Sequence, residues 1–147
     1  RHIEWPIVIM LAAMIPIGKA LESTGITALI ATEVVSLAGD LHIFWVLMII
    51  LIITMLITDV INNAATAVIM APFSVNIALQ LGQPLEPILM VVAVGASCAF
   101  LTPIGHQCNT LVMGPGNYKF SDYWRLGLPL DILIVLASIP MILFVWL

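Results

Sequence analysis

Asn62 and Asn63 stand side by side with Thr58, Asp59 and Thr66 close by, in the middle of a run (residues 41–81) that is otherwise mostly apolar. Amide oxygens, hydroxyls and backbone carbonyls freed by a chain break are hard oxygen donors, of the kind that small hard cations select. A helix start at the same place offers N–H groups and partial positive charge to an anion. A second polar interruption follows at 102–109, where Thr102, Pro103, Gly105, His106, Gln107 and Asn109 break another apolar stretch. The chain has no Ser/His/Asp set, no H-E-x-x-H and no phosphate loop, and His106 and Cys108 are too few to make a metal centre. An enzyme is therefore not expected.

The elements that must position these groups are membrane helices. The chain has 147 residues, 63% hydrophobic and 8% charged, with a mean hydropathy of +1.21. A soluble domain carries about a quarter charged residues, so the composition indicates an integral membrane protein, expected in a bacterial-type inner or plasma membrane. Four Lys and Arg in all leave no nucleic-acid reading. Arg1 is not an initiating Met, and a polar site of this kind normally needs a longer bundle, so the chain reads as part of a larger permease with much of it upstream. Cys98 and Cys108 both lie in apolar surroundings and are expected to be buried free thiols.

The spans follow from runs and punctuation. Residues 5–21 form a candidate span with Trp5 as interfacial anchor, and 25–38 an amphipathic arm helix, too polar to cross. Residues 41–81 are expected to make a hairpin with its tip at 58–66. Its first arm is 41–57, whose fifteen-residue core, 43–57, covers about 22 Å at 1.5 Å per residue, short of the roughly 30 Å hydrocarbon core, so a re-entrant arm fits better than a crossing. Residues 82–87 form a loop. Residues 88–118 read as a broken helix interrupted at 102–109, with the first half helical to Leu101, and 128–147 as the last span. Asp131 and Glu33 are read as interfacial and given no role.

Backbone broken at membrane depth is tolerated only where protein or a water-filled cavity satisfies it. Two such breaks in neighbouring hydrophobic elements point to a secondary-transporter site. Plainer readings stand beside this one. Asn62-Asn63 also suits a tight turn outside the membrane, Thr58 and Thr66 also suit helix caps, and Asp59 also suits a helix terminus bonded to backbone. Pro103 and Gly105 also suit a simple kink, and His106 a hydrogen-bonded packing residue.

The two breaks together resemble the second inverted repeat of the divalent anion:sodium symporter family, the sodium-coupled dicarboxylate and sulfate carriers. The stretch from Thr58 through Asn62, Asn63, Ala64 and Thr66 to Pro72 is similar to that family's hairpin tip, written around Ser-Asn-Thr. The stretch from Cys98 through Pro103, Gly105 and Asn109 is similar to its broken helix, with Gly114-Pro115-Gly116 following. The family's Ser, Asn and Thr fall on Asn62, Asn63 and Ala64. Where dicarboxylate carriers place a Thr before Pro-Pro-Asn, this chain has His106-Gln107-Cys108-Asn109.

The resemblance implies an all-α integral membrane fold, half of an inverted-repeat transporter, with a re-entrant helical hairpin and a discontinuous transmembrane helix. It implies sodium-coupled import of a small anion, a dicarboxylate or sulfate, by an elevator form of alternating access. Asn62, Asn63, Thr66, His106 and Asn109 would bind the substrate, and Asn62, Asn63, Gly105 and Asn109 the sodium ion. The partners implied are the anionic solute, the lipid bilayer, the N-terminal repeat of the same permease and a second copy in a homodimer. An arsenite permease or a sodium/proton antiporter of the same superfamily is one alternative reading. An anion-sensing membrane module is another.

Overall fold

The computed structural model describes residues 42–147, together with positions 16, 20, 23–25 and 32. The expected first span at 5–21 and arm helix at 25–38 lie outside the described residues, apart from those isolated positions. From residue 42 onward there are five helices: α1 (Ile43–Thr58), α2 (Asn63–Leu81), α3 (Leu85–Ala96), α4 (Gln107–Met113) and α5 (Phe120–Trp146).

Each boundary has a local cause. His42 Nδ1 accepts the Phe44 N–H at 3.3 Å and starts α1. Asn62 Oδ1 accepts the Ala65 N–H at 2.8 Å and starts α2, satisfying one of the donors that a helix start leaves orphaned. Gly82, at φ 61, ends α2 in the left-handed conformation, its N–H reaching the Ala78 and Leu79 carbonyls. That cap is inexpensive only for glycine. Pro84 then precedes α3. At α5, Asp122 takes the Lys119 N–H at 2.8 Å, so the helix begins at Phe120, eight residues before the expected 128, and carries Pro129 and Pro140 inside it.

α3 is the hub. It packs on both α1 and α2, which touch each other much less, while α5 lies across α1 and α3. The core is aliphatic: Leu47, Ile50, Leu51, Ile77, Ile88 and Val91 are all at most 1% exposed. Fully burying a side chain of this kind contributes about 1.5–3 kcal/mol. α1 and α3 approach closely at Gly95, where an added Cβ would meet Thr54 Cβ at 2.8 Å and the Leu51 carbonyl at 3.2 Å. Small residues permit such approaches between membrane helices.

α2 (19 residues) and α5 (27 residues) are long and apolar enough to cross a membrane, while α1 and α3 are shorter apolar helices. At 1.5 Å per residue α2 is about 28 Å long and α5 about 40 Å. On α5, Leu133, Leu136 and Phe144 are 63%, 69% and 90% exposed, a surface suited to lipid or further protein and not to water. The described residues are all-α, and the chain is that of an integral membrane protein.

Three expectations need correction. α3 does not run to Leu101; it ends at Ala96, and the irregular stretch is 97–106, with Asn109 already inside α4. The cause is partly local, since Pro103 has no N–H to give the Ala99 carbonyl and disfavours helical backbone at Thr102. It is also tertiary, because α1's end supplies partners to residues 96–102, as described below. Second, Cys98 is buried but Cys108, on the short α4, is exposed. Third, Asp131 is not interfacial: it is 8% exposed, turned into the bundle because α5 begins early and packs this face on α1 and α3.

Candidate functional site

The two interruptions meet. Thr58, the last residue of α1, is fully buried, and its hydroxyl reaches the Ala96 carbonyl at the end of α3 (3.0 Å) and Asn63 Oδ1 at the start of α2 (2.9 Å). A hydroxyl has one proton, so it serves one of these acceptors at a time. Next to it, Asp59 Oδ1 accepts the Leu101 N–H at 2.9 Å, and the Asp59 carbonyl accepts the Thr102 hydroxyl at 2.5 Å. Thr102 Oγ1 in turn accepts from the Ile104 and Gly105 N–H groups, both at 3.2 Å. The first break is thus held by the second through a continuous polar network.

Gly105 closes the junction. A Cβ at this position would stand 2.7 Å from the Thr58 carbonyl oxygen, 2.8 Å from Ala99 Cβ and 3.0 Å from Asp59 Cα. Two of these three neighbours are backbone atoms that cannot turn aside, so the close approach requires glycine.

The broken segment is also strapped to itself. Asn109 Nδ2 donates to the Ala99 carbonyl (2.8 Å) and to the Thr102 carbonyl (3.2 Å), supplying the bond that Pro103 cannot. Thr110 Oγ1 donates to the Pro103 carbonyl at 2.5 Å, and Tyr123 of α5 donates to the Asn109 carbonyl at 2.7 Å. Behind them, an added Cβ at Gly127 would collide with the Phe100 carbonyl, so α5 presses directly on the break.

The residues singled out from sequence therefore fall in three situations. Asn62 and His106 are exposed and cap the starts of α2 and α4, His106 Nδ1 accepting the Cys108 N–H at 3.2 Å. Asn63, Gly105 and Asn109 lie in the junction, half-buried or buried. Thr66 is fully buried, one turn into α2, and its hydroxyl has no hydrogen-bond partner. Four helix ends converge here: the C-termini of α1 and α3 and the N-termini of α2 and α4. Such an arrangement presents carbonyl oxygens and N–H groups together, the means to hold a cation beside an anion.

Thr58 and Thr102 are the residues that sequence reasoning undervalued. Thr58 was readable as a cap and Thr102 as part of a break, yet each is a cross-link between elements about forty positions apart. No spacing rule could have paired them.

Comparison with known proteins agrees with the resemblance. The citrate transporter family model matches residues 1–147. Among curated proteins, an uncharacterized transporter of Synechocystis is 36% identical over 98% of this chain and 24% of its own length. The uncharacterized transporter YfbS of Escherichia coli is 39% identical over 97% of the chain and 23% of its own length. Sodium/sulfate cotransporter 2 of Chlamydomonas reinhardtii is 28% identical over 94% of the chain and 16% of its own length. The chain spans about a quarter or less of these relatives. The relatives and the family are transporters, not enzymes. With the family model covering the whole chain and a two-break junction of this kind within it, the protein belongs to the citrate transporter family.

Proposed function

We propose that this chain is one transport repeat of a sodium-coupled permease for a small anion, with solute and sodium bound where the two chain breaks meet. The observation that carries the reading is the mutual locking of the breaks through Thr58, Asp59, Thr102 and Gly105. Elements bonded in this way move as one body, as an elevator step requires. The exposed side chains of Asn62 and His106 mark an open side of the junction, which the N-terminal repeat of the same permease would complete.

In this mechanism Asn63 is the sodium ligand of the tip. When the Thr58 hydroxyl turns wholly to the Ala96 carbonyl, Asn63 Oδ1 is released to the cation. Asn109 and Gly105 hold the facing segment so that its carbonyls stay in range. The anion's oxygens take the N–H groups at the start of α2 and the side chains of Asn62, Thr66 and His106. Sodium bound beside them offsets the solute's charge, which couples the two. The re-entrant path of the hairpin, the elevator step and a homodimeric assembly in the bilayer belong to the same proposal. Relatives named sodium/sulfate cotransporters support the choice of ion and of an anionic solute.

The test is uptake by the full-length permease in proteoliposomes of labelled citrate, succinate and sulfate, each with and without an inward sodium gradient. Sodium-driven uptake of any one supports the proposal and selects the substrate. Uptake indifferent to sodium, or solute binding without any counterflow, overturns it.

A further inference from the structure

A cavity of about 270 Å³ lies between the second break, α4 and the first turns of α5. Its polar side chains are Asn109, Tyr118, Asp122 and Tyr123, and Phe100, Val112, Leu126 and Leu130 line most of the rest. The hydrogen-bond protons around it are already spent. Both protons of the Asn109 amide go to the Ala99 and Thr102 carbonyls (2.8 and 3.2 Å). Only the NH₂ side of a carboxamide can serve two carbonyls, so Oδ1 is the group left over. The Tyr123 proton goes to the Asn109 carbonyl at 2.7 Å, which leaves the lone pairs of its Oη. Asp122 takes the Lys119 N–H through Oδ2 at 2.8 Å and keeps further lone pairs on both oxygens. Apart from the Tyr118 hydroxyl, the side chains of this cavity accept hydrogen bonds and have none to give.

A lining of acceptors and one carboxylate repels an anion, so the cavity is not a second place for the solute. A metal ion needs more oxygen ligands than these side chains supply, and most of the wall is carbon. An organic ammonium that carries N–H donors fits both parts of the lining. The Tyr118 and Tyr123 rings stand at 66° with centroids 6.2 Å apart, and aromatic faces attract such a cation.

The cavity stands at the membrane boundary. Residues 126–146 of α5 cover about 31 Å at 1.5 Å per residue, the thickness of the hydrocarbon core, which leaves 120–125 at headgroup level. Tyr118, Phe120 and Trp124, 47%, 52% and 53% exposed, are the aromatic residues that favour this level. Lys119 and Arg125, both exposed, lie three residues to either side of Asp122, on its face of the helix. An ammonium seated on Asp122 therefore has bases beside it for a phosphate. Towards the hydrocarbon, Leu126 and Leu130 carry the cavity onto the apolar surface of α5, 74% and 41% exposed.

We propose that this cavity binds a membrane phospholipid whose headgroup ends in a primary ammonium, of the phosphatidylethanolamine class. The ammonium donates to Asp122, Asn109 Oδ1 and Tyr123 Oη, the phosphate lies against Lys119 and Arg125, and an acyl chain follows Leu126 and Leu130. A quaternary ammonium has no N–H to donate, and a glycerol headgroup has no charge for Asp122. The bound lipid touches Asn109 and Phe100, so it steadies the segment that Asn109 straps at the junction. The lipid site does not depend on the transport reading; its effect on uptake does.

The experiment is native mass spectrometry of the delipidated full-length protein, titrated with phosphatidylethanolamine, phosphatidylcholine and phosphatidylglycerol. Variants are D122N, whose side-chain oxygen can still cap α5, and E86Q, an exposed control on α3. Wild type and E86Q should retain phosphatidylethanolamine about ten-fold more tightly than the other two, the worth of one charge-assisted hydrogen bond. In D122N that preference should vanish. Should D122N fail to fold, L130W fills the apolar end and must weaken retention of the same lipid. Equal retention of all three lipids by wild type, as when a cationic side chain of the protein already fills the cavity, overturns the proposal. So does a preference unchanged in D122N or, where that variant does not fold, in L130W. Soluble ethanolamine that displaces the lipid at equal concentration overturns the assignment to a lipid. In vesicles, sodium-driven uptake should fall when phosphatidylethanolamine is replaced by phosphatidylcholine, and D122N should be low in both; wild-type uptake indifferent to the exchange overturns the effect on transport. A protein that prefers the lipid but transports nothing would sink the transport reading and leave the lipid site standing.

Discussion

Replacing Gly105 with alanine tests whether the two breaks bear directly on each other. The new methyl group would lie 2.7 Å from the Thr58 carbonyl oxygen and 3.0 Å from Asp59 Cα, at least about half an ångström inside ordinary van der Waals contact. Both neighbours are backbone atoms, one on the last turn of α1, so relief requires the first break to separate from the second. Overpacking of this kind costs about 1–3 kcal/mol. The separation would also lengthen the Leu101–Asp59 and Thr102–Asp59 bonds, currently 2.9 and 2.5 Å. The assay is paired: thermal unfolding of the detergent-solubilised full-length permease, and sodium-driven uptake in proteoliposomes. G105A should lower the unfolding temperature and reduce uptake by ten-fold or more. Gly114→Ala is the control, because nothing lies within 4 Å of a Cβ there, and it should leave both readings nearly unchanged. A G105A protein with wild-type stability and uptake would show that the breaks do not press on each other, and the junction would have to be abandoned.

Five further substitutions separate support of the junction from binding at it. Thr58→Val removes the only hydroxyl that joins Ala96 to Asn63 and leaves a buried carbonyl unpaired, at a cost of about 1–3 kcal/mol read from thermal unfolding; no change in stability would refute the network. Asn109→Ala strips donors from the Ala99 and Thr102 carbonyls and should cost a similar amount, whereas Tyr123→Phe removes a single bond and should cost about 0.5–1.5 kcal/mol. If Tyr123→Phe proved the more damaging, the strap within the break would be misassigned. Asn62→Ala should lose about 1 kcal/mol of cap stability, and Asn62→Asp should keep the cap but place a negative charge where the anion is to bind; an aspartate variant with wild-type uptake would remove Asn62 from the substrate site.

Much of the helix plan was legible because membrane helices are written in apolar runs and punctuated by residues with local consequences. Gly82 and Pro84 end α2 and begin α3 by backbone geometry alone. The end of α3 was not legible. Residues 97–101 contain no Pro or Gly to break a helix, yet the helix stops at Ala96, where Thr58 takes the Ala96 carbonyl and Asp59 the Leu101 N–H from about forty positions away. Asp131 was misplaced for a related reason: periodicity in a helix that is apolar on every side does not say which face a neighbour covers. Within the site, Asn63 and Gly105 were readable as junction residues. The side chains of Asn62 and His106 are committed first to capping, a role that their position just before a helix start implies.

The measurement that bears most directly on the proposed site compares wild type with Asn63→Ala in the same vesicles, following uptake of whichever anion wild type accumulates as external sodium is raised. If Asn63 is the sodium ligand released by Thr58, N63A should unfold within a few degrees of wild type yet show no sodium-stimulated uptake at any concentration reached. Sodium stimulation of ordinary size and midpoint in N63A would contradict a sodium site at the junction of the two breaks.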